Sequence, residues 1–226
     1  MSSSEVTNDQ PTTTENQEEE VRMIWITPDA EKVISYCARV SNPANQENYD
    51  TADKLLRYCY KNHHWSVFEM ASMCLEINTT RAIAAQLIRH RSFSFQEFSQ
   101  RYANVNELSI QVPSFRTQDL KNRQSSHDTL SLEKQQILQT KAKQINDMCL
   151  DFYNELIQEG VAKESARFVL PLSTSTRLYM SGTIRSWIHY AQLRTDPGTQ
   201  KEHRDLALQV QTILVQHIPS IKGLLL

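Results

Sequence analysis

Residues 71–102 read ASMCLEINTTRAIAAQLIRHRSFSFQEFSQRY, and two patterns in this stretch decide the fold class. The first is an alternation in which apolar Met73, Leu75 and Ile77 are separated by other side chains. A period of two residues is typical of a strand that turns one face to a core. The stretch therefore predicts a strand over Ala71–Asn78.

The second pattern predicts a helix directly after this strand. Thr79 and Thr80 precede it, and a threonine can cap the first turn of a helix. The apolar stripe of this helix consists of Ile83, Ala84, Leu87 and Ile88. Gln86 and Arg89 fall together on the other side, because residues three apart share a helix face.

Outward from this unit, strands alternate with longer helices. Further strands are predicted over residues 21–27 and 173–181, and helices over residues 30–40, 51–61, 131–159 and 200–217. A short helix carries Glu164 and Arg167. Because the alternation is irregular and no repeat occurs, we predict an α+β fold for residues 21–226. It is a single compact domain with a small mixed or antiparallel sheet flanked by long helices.

Two of the helices have distinct faces. The apolar stripe of the helix over residues 131–159 is Leu138, Ala142, Ile145, Cys149, Phe152 and Leu156, and Gly160 supplies the stop. The helix after residue 181 directs Ile184, Trp187, Ile188 and Ala191 toward the core. Its other face presents Arg185, His189 and Gln192, which we therefore expect on one surface.

Charge separates residues 1–20 from the rest. They contain six acidic residues and no basic residue, which leaves 24 − 20 = +4 for residues 21–226. This segment has too little apolar surface to fold and is predicted to be a disordered tail. The mild positive charge elsewhere is too small for an electrostatic nucleic-acid binder but suits a protein that holds small anions. No signal peptide or apolar span of about 18 residues occurs, so we expect a cytoplasmic protein with no membrane partner.

The cysteines and histidines form no recognisable disulfide or metal pattern. The cysteines lie far apart in apolar or aromatic surroundings and are expected to be buried, reduced thiols. They are Cys37, Cys59, Cys74 and Cys149. His63 and His64 lie near Glu69, but the H-E-x-x-H motif is missing and no third ligand is evident, so no metal is expected.

Glycine is scarce, and this excludes loops that bind phosphate through the backbone. The chain has four glycines, and no two lie close together. A P-loop and a G-x-G-x-x-G turn are therefore excluded. Any bound phosphate must be held by side chains, chiefly arginines.

Residues 89–102, RHRSFSFQEFSQRY, offer such a place. They include three Arg, one His, one Glu, three Ser and three Phe, and neither a helical nor a strand period fits them. Phenylalanines gain nothing on a solvated surface, so this composition favours a functional segment. The alternative is an ordinary loop in which two arginines pair with Glu97 and Glu69.

The same run resembles the signature of the flavin-dependent thymidylate synthases. Arg89-His90-Arg91 is followed by Ser99, as in that family. The rest of the family pattern is matched by Ser94, Glu97 and Arg101-Tyr102, with Gln96 where Asn is usual. Further matches in family order are residues 38–41, 64–69, 86–89, 164–167, 170–172 and 185–194. The resemblance covers residues 21–217.

This resemblance implies reductive methylation of dUMP to dTMP, with 5,10-methylenetetrahydrofolate as carbon donor and FAD reduced by NADPH. The implied FAD-binding residues are Ser66, Arg89, His90, Arg91, Glu97, Thr183, Arg185 and His189, with Thr183 where Asn is common. The implied dUMP-binding residues are Gln86, Arg89, Glu97, Ser99, Gln100, Arg101, Arg167 and Arg194. A homotetramer with active sites at subunit interfaces is also implied, and the phenylalanines beside the Arg-His-Arg triplet are consistent with burial there.

Catalysis is expected to proceed without a cysteine nucleophile. The conventional thymidylate synthase uses a cysteine that follows a proline, and this chain has no Pro-Cys pair. Arg194 is instead expected to stabilise negative charge on the uracil ring, while Ser99 positions and polarises the substrate. His90 is not expected to protonate easily, because it lies between two arginines.

Other interpretations stay open from the residues alone. A nucleotide- or RNA-binding protein could use the same Arg and Phe side chains to grip phosphates and stack bases. A flavoprotein reductase could merely oxidise NADPH. At single positions, Ser99 could close a turn, and Glu164 could form a helical salt bridge with Arg167.

Overall fold

The computed structural model describes residues 20–103 and 109–225, so the tail predicted for residues 1–20 lies outside the described residues except for Glu20. The strands are β1 Val21–Ile26, β2 Ser72–Thr80, β3 Ser94–Glu97, β4 Thr117–Gln118, β5 Ser126–His127 and β6 Ser175–Thr183. The helices are α1 Ala30–Ala38, α2 Ala52–Lys61, α3 Arg81–Leu87, α4 Leu132–Gln158, α5 Lys163–Ala166, α6 Ile184–Arg194 and α7 Lys201–His217. The predicted α+β class is confirmed.

An antiparallel sheet of four strands in the order β1-β2-β6-β3 forms the centre of the fold. The alternation in β2 reflects real burial, since Met73, Leu75 and Ile77 are fully buried. The opposite face is not open to solvent either, because Glu76 is also buried and accepts a hydrogen bond from Arg22 of β1 at 3.1 Å. α3 is shorter than its apolar stripe suggested. It ends at Leu87, and Ile88 beyond it is exposed.

Residues 89–102 were predicted to lack the period of a strand, and this was wrong. They contain β3, which pairs with β6 through Phe95↔Met180 and Glu97↔Leu178. Phe93 is buried, and its ring centroid lies 4.7 Å from that of Trp187. Phe95 packs against the same core. These two phenylalanines therefore contribute to the core of their own chain, and Phe93, which is buried there, needs no subunit interface to cover it.

Gly182 of β6 is required by this packing. A Cβ atom at that position would lie 2.5 Å from the Cδ1 atom of Phe93, closer than two carbon atoms can approach. The missing side chain thus allows Phe93, directly before β3, to reach Trp187. α6 follows directly after β6, so the same packing fixes where α6 begins.

α4 confirms the predicted long helix. The Ser131 hydroxyl caps its start by accepting from the Lys134 amide at 3.3 Å, and Gly160, with φ 79°, follows its end. Only part of its apolar stripe packs against its own chain: Leu156 lies against the buried cluster of Tyr153 and Ala166, whereas Ile145 is 58% and Phe152 47% exposed. α4 therefore carries an apolar face, around Ile145 and Phe152, that its own chain leaves uncovered.

In the described part of the chain, no helix combines the length and the apolar character that crossing a membrane requires.

Candidate active site

α6 builds one wall of the site. The Thr183 hydroxyl caps this helix by accepting from the Ser186 amide at 3.3 Å. The side chains buried on its inner face are Ile184, Trp187, Ile188, Tyr190 and Ala191, which confirms the predicted core face. The outer face presents Arg185, His189 and Gln192 together, as predicted, and all three line one cavity.

This cavity, the Arg185 cleft, has a volume of about 400 Å³. Its lining comprises Trp65, Glu69, Ser92, Arg185, Ser186, Ile188, His189 and Gln192. Glu69 belongs to the 3-10 turn Trp65–Glu69, which also contains Ser66, and it forms an ion pair with Arg185. Gln192 donates to the Tyr60 hydroxyl at 2.7 Å. The cleft is thus held between α6 and that turn.

The residues of the Arg185 cleft fit a flavin. Trp65 supplies apolar surface for a flat ring, while Arg185, His189 and Ser92 supply polar groups around it. A volume of about 400 Å³ falls within the usual range for small-molecule sites. The ion pair leaves part of the Arg185 guanidinium available, because an arginine has five N–H donors.

A second cavity, the Arg194 cleft, has a volume of about 620 Å³ and shares Gln192 with the first. Its lining comprises Gln86, Asn122, Gln124, Gln192, Leu193, Arg194, Asp196, Gly198, Thr199 and Gln200. Gln86 near the end of α3 and Arg194 at the end of α6 are thereby brought together. Two of the predicted substrate-binding residues therefore lie beside the candidate flavin site.

His90 connects the Arg-His-Arg triplet to Arg194. The Nε atom of Arg194 donates to Nε2 of His90 at 2.9 Å, so this ring nitrogen carries no proton. The pKa of His90 is lowered to about 4, first by burial and then by the charges of Arg194 and His189. The predicted resistance to protonation is supported, but its cause is burial and Arg194 rather than the two neighbouring arginines.

Arg89 and Arg91 are exposed and form no ion pair within the described residues. Their guanidinium groups are consequently available to a phosphate-bearing ligand. The ordinary-loop alternative assigned two arginines of the run to Glu97 and Glu69. The structure instead pairs Glu97 with Arg81 and Glu69 with Arg185.

One carboxylate oxygen of Glu97 is engaged inside the chain. Besides its ion pair with Arg81, the same carboxylate accepts from the Thr176 hydroxyl at 2.9 Å. Glu97 lines neither the Arg185 cleft nor the Arg194 cleft. Any contact it makes to a ligand must therefore use its second carboxylate oxygen.

Four other predicted substrate residues, Ser99, Gln100, Arg101 and Arg167, also line neither cleft. The Ser99 carbonyl accepts from the Tyr102 and Ala103 amides at 3.0 Å, so Ser99 does close a turn. Arg101 lies 2.9 Å from Glu164, so the Glu164 carboxylate pairs with Arg101, whereas helical spacing had left a pairing with Arg167 open.

Gln100 and Arg167 take different environments within this group. Gln100 is buried, and its Nε2 atom has no hydrogen-bond partner in the described part of the chain. The Arg167 guanidinium lies 6.0 Å from the ring centroid of Phe168. The single chain thus separates the predicted substrate residues into two groups.

His203 of α7 was not among the predicted site residues. This histidine is fully buried, its Nδ1 atom lies 3.2 Å from Oε1 of Gln86, and its ring centroid lies 5.8 Å from that of Tyr190. Burial, followed by the charges of Arg194 and His90, lowers its pKa to about 4. A signal was present, because His203 precedes buried Leu206 and Ala207 at helical spacing.

No cysteine lines either cleft. All four are free thiols; Cys59 and Cys74 are buried, and burial raises the pKa of both. Cys37 and Cys149 are only half-buried, so the prediction of four buried thiols was wrong for these two. Among the described residues, no group of three or more His, Cys, Asp or Glu side chains is arranged to hold a metal ion.

Comparison with known proteins gives consistent results. The family described as thymidylate synthase complementing protein matches residues 22–220. The chain is 54% identical over 192 residues to a probable flavin-dependent thymidylate synthase of Paramecium bursaria Chlorella virus 1, covering 85% of this chain and 88% of that protein. It is 49% identical over 195 residues to the flavin-dependent thymidylate synthase of Synechocystis sp., covering 86% and 89%.

A solved structure is similar over nearly the whole chain. The crystal structure of the UMP/dUMP methylase PolB from Streptomyces cacaoi, bound with 5-Br dUMP, superposes with a TM-score of 0.79 at 25% identity. The match covers 90% of this chain and 94% of that one.

Proposed function

We propose a reaction for this chain from the premise that it belongs to the flavin-dependent thymidylate synthase family: the reductive methylation of dUMP to dTMP. In this reaction 5,10-methylenetetrahydrofolate supplies the carbon, and NADPH reduces FAD. The observation that carries the proposal is the adjacency of the two clefts. Arg185 and His189 line one, Gln86 and Arg194 line the other, and Gln192 borders both.

The flavin would be held in and around the Arg185 cleft. Within it, Arg185 and His189 provide donors, and Trp65 provides an apolar wall. The full proposed set is Ser66, Arg89, His90, Arg91, Glu97, Thr183, Arg185 and His189. Bound FAD supplies hydride to the substrate after it has been reduced. The part played by the protein is to bind, orient and enclose.

Arg194 is the proposed catalytic residue. Its Nε atom is occupied by His90, which leaves the two terminal nitrogens for a ligand in the cleft. Negative charge that develops on uracil N3 and O2 would be stabilised by this guanidinium, and C5 would thereby become nucleophilic. Arg194 is half-buried, and a partly desolvated charge acts more strongly than one in water.

Activation of uracil in this way requires no thiolate. The thiols of Cys59 and Cys74 are buried with raised pKa values, and a thiol in that state is a poor nucleophile. Cys37 lies on α1 and Cys149 on α4, and neither lines a cleft. The positions of all four cysteines therefore favour electrostatic activation.

The remaining substrate residues, Ser99, Gln100, Arg101 and Arg167, would contribute from a neighbouring copy of the chain in a homotetramer. Exposed apolar residues surround this group: Tyr102 is 86%, Phe168 82% and Leu172 70% exposed. The 27 residues of α4 span about 40 Å and also present an uncovered apolar face. Apolar surface of this extent is typical of subunit interfaces.

The absorbance spectrum of the purified protein tests the flavin assignment. A flavin spectrum, with FAD released on denaturation, is expected. Arg185→Ala should lower the FAD content, whereas Arg177→Ala, which removes an exposed β6 arginine that donates to Asn78 at 2.9 Å, should not. Full occupancy in the Arg185 variant would contradict the placement of the flavin.

Mixing two inactive variants tests the shared site. Arg194→Ala and Arg101→Ala alter the two separated groups, so a site built from two chains can combine one intact copy of each. Random reassembly should then restore activity in roughly a quarter of the sites. Mixtures that stay inactive, although light scattering shows a reassembled tetramer, would contradict a site completed by a second chain.

A further inference from the structure

A continuous chain of hydrogen bonds runs from the loop before β4 to the buried face of α7. Arg116 donates to both carboxylate oxygens of Glu202 at 2.6 and 2.9 Å. Gln200 Nε2 donates to the same carboxylate at 3.0 Å. Gln86 Nε2 donates to Gln200 Oε1 at 2.7 Å, and Gln86 Oε1 lies 3.2 Å from His203 Nδ1.

The direction in which these hydrogen bonds donate is determined at one end of the series. A carboxylate can only accept hydrogen bonds, so Gln200 must turn its NH₂ group to Glu202. Gln200 consequently presents its carbonyl oxygen to Gln86, and Gln86 must donate to it from its own NH₂ group. The carbonyl oxygen of Gln86 then faces His203. An amide flip at either glutamine would set oxygen against oxygen or NH₂ against NH₂.

The far end of the chain fixes the tautomer of His203. Because Gln86 offers an acceptor, the Nδ1 atom of His203 must carry the proton. Its Nε2 atom then carries no proton, and this atom is buried without a hydrogen-bond partner among the described residues. The proton cannot move to Nε2 without losing the bond to Gln86.

We propose that this hydrogen-bond chain is a positioning device, in which Glu202 and His203 hold the Gln86 amide with its NH₂ group directed for substrate recognition. Gln86 lines the Arg194 cleft, and an NH₂ group has a second hydrogen besides the one given to Gln200. That hydrogen selects an acceptor oxygen of the ligand in the cleft. The inference rests on the proposed function in one respect, namely that this ligand is dUMP.

Glu202 is the residue to perturb, because it determines the direction and its side chain is 40% exposed. Glu202→Gln keeps the size of the side chain but allows it to donate as well as accept, so both glutamines can flip. The dissociation constant and KM for dUMP should rise roughly two- to tenfold, the value of one hydrogen bond, with a smaller effect on kcat. Asp205→Asn is the matched control, since it breaks the exposed Lys201–Asp205 pair on the same helix and should leave dUMP binding unchanged.

Two substitutions test the Nδ1 donor of His203. His203→Asn retains an N–H donor near the Nδ1 position and should bind dUMP nearly as the unmodified protein does. His203→Leu removes the donor and should weaken binding by the same factor as Glu202→Gln. Equal binding by the Leu and Asn variants would overturn the role of His203.

A tautomer measurement separates this inference from the proposed function. Two-bond ¹⁵N–¹H spectra of the histidine-labelled protein should show His203 protonated at Nδ1 and should show a mixture of tautomers in Glu202→Gln. Protonation at Nε2 in the unmodified protein would refute the directed chain. The expected tautomers together with unchanged dUMP affinity in Glu202→Gln would refute the positioning role, and loss of dUMP binding altogether in the unmodified protein would refute the proposed function.

Discussion

Replacement of Arg194 is the perturbation that bears most directly on the proposed chemistry. Among residues 20–103 and 109–225 this side chain makes one hydrogen bond, from Nε to His90 at 2.9 Å, and it lines its cleft. Arg194→Ala should therefore reduce the free energy of unfolding by only about 1 kcal/mol, the value of one hydrogen bond. Folding and FAD content should survive. Removal of a group that stabilises developing charge costs about 3 to 4 kcal/mol, so turnover should fall roughly 100- to 1,000-fold.

Arg194→Lys distinguishes the shape of the side chain from its charge. Lysine keeps the positive charge but lacks the planar fork that can contact His90 and two ligand atoms at once. This variant should remain badly impaired. The control is Arg204→Ala on α7, because Arg204 lines a neighbouring cavity and donates to the Pro197 carbonyl at 3.3 Å.

Tritium release from C5-labelled dUMP, measured with the folate donor at saturating dUMP, gives kcat for each variant. A rise in KM with unchanged kcat would show that Arg194 binds the substrate and the transition state equally well. Unchanged turnover in Arg194→Ala would refute the assignment, and Arg167 would become the residue to examine. In a correctly folded Arg194→Ala protein the pKa of His90 should also rise from about 4, since Arg194 is one cause of its depression.

Further predictions concern stability and the thiols. Gly182→Ala should destabilise the protein by about 1 to 3 kcal/mol through its clash with Phe93, and Gly182→Ala combined with Phe93→Leu should recover part of the loss in thermal unfolding. His203 has a pKa lowered from 6.5 to about 4, so its contribution to stability is complete above pH 6.5 and is lost as the pH falls toward 4. By about pH 5 this loss amounts to about 2 kcal/mol, so His203→Asn should lose less thermal stability than the unmodified protein between about pH 7 and 5. A variant with all four cysteines replaced by Ser or Ala should retain folate-dependent tritium release, whereas a folded, flavin-loaded variant without activity would restore the thiolate mechanism.

Local periodicity predicted most of the fold, because each element buries one face. The strand period of β2 and the two faces of α6 followed directly from residue spacing. β3 was missed although Phe93 and Phe95 alternate with serines, since its four residues are too few for the period to stand out. The uncovered face of α4 was beyond prediction, because spacing shows that a stripe is apolar but not what packs against it.

Residue spacing by itself predicted parts of the site only where residues lie close in sequence. Arg185 and His189 share a helix face, and their spacing alone placed them together. The bond between His90 and Arg194 joins residues 104 positions apart, and no local pattern encodes it. The same is true of His203 and Gln86, which are 117 positions apart. Such contacts depend on how α3, α6 and α7 pack, which is a property of the whole fold.

Release of tritium from C5-labelled dUMP shows whether this chain methylates dUMP with a folate carbon and flavin hydride. The purified protein should release tritium and form dTMP when NADPH and 5,10-methylenetetrahydrofolate are both present, and omission of the folate should abolish dTMP formation. Oxidation of NADPH with no folate-dependent product would contradict the account and identify the chain as a flavoprotein reductase.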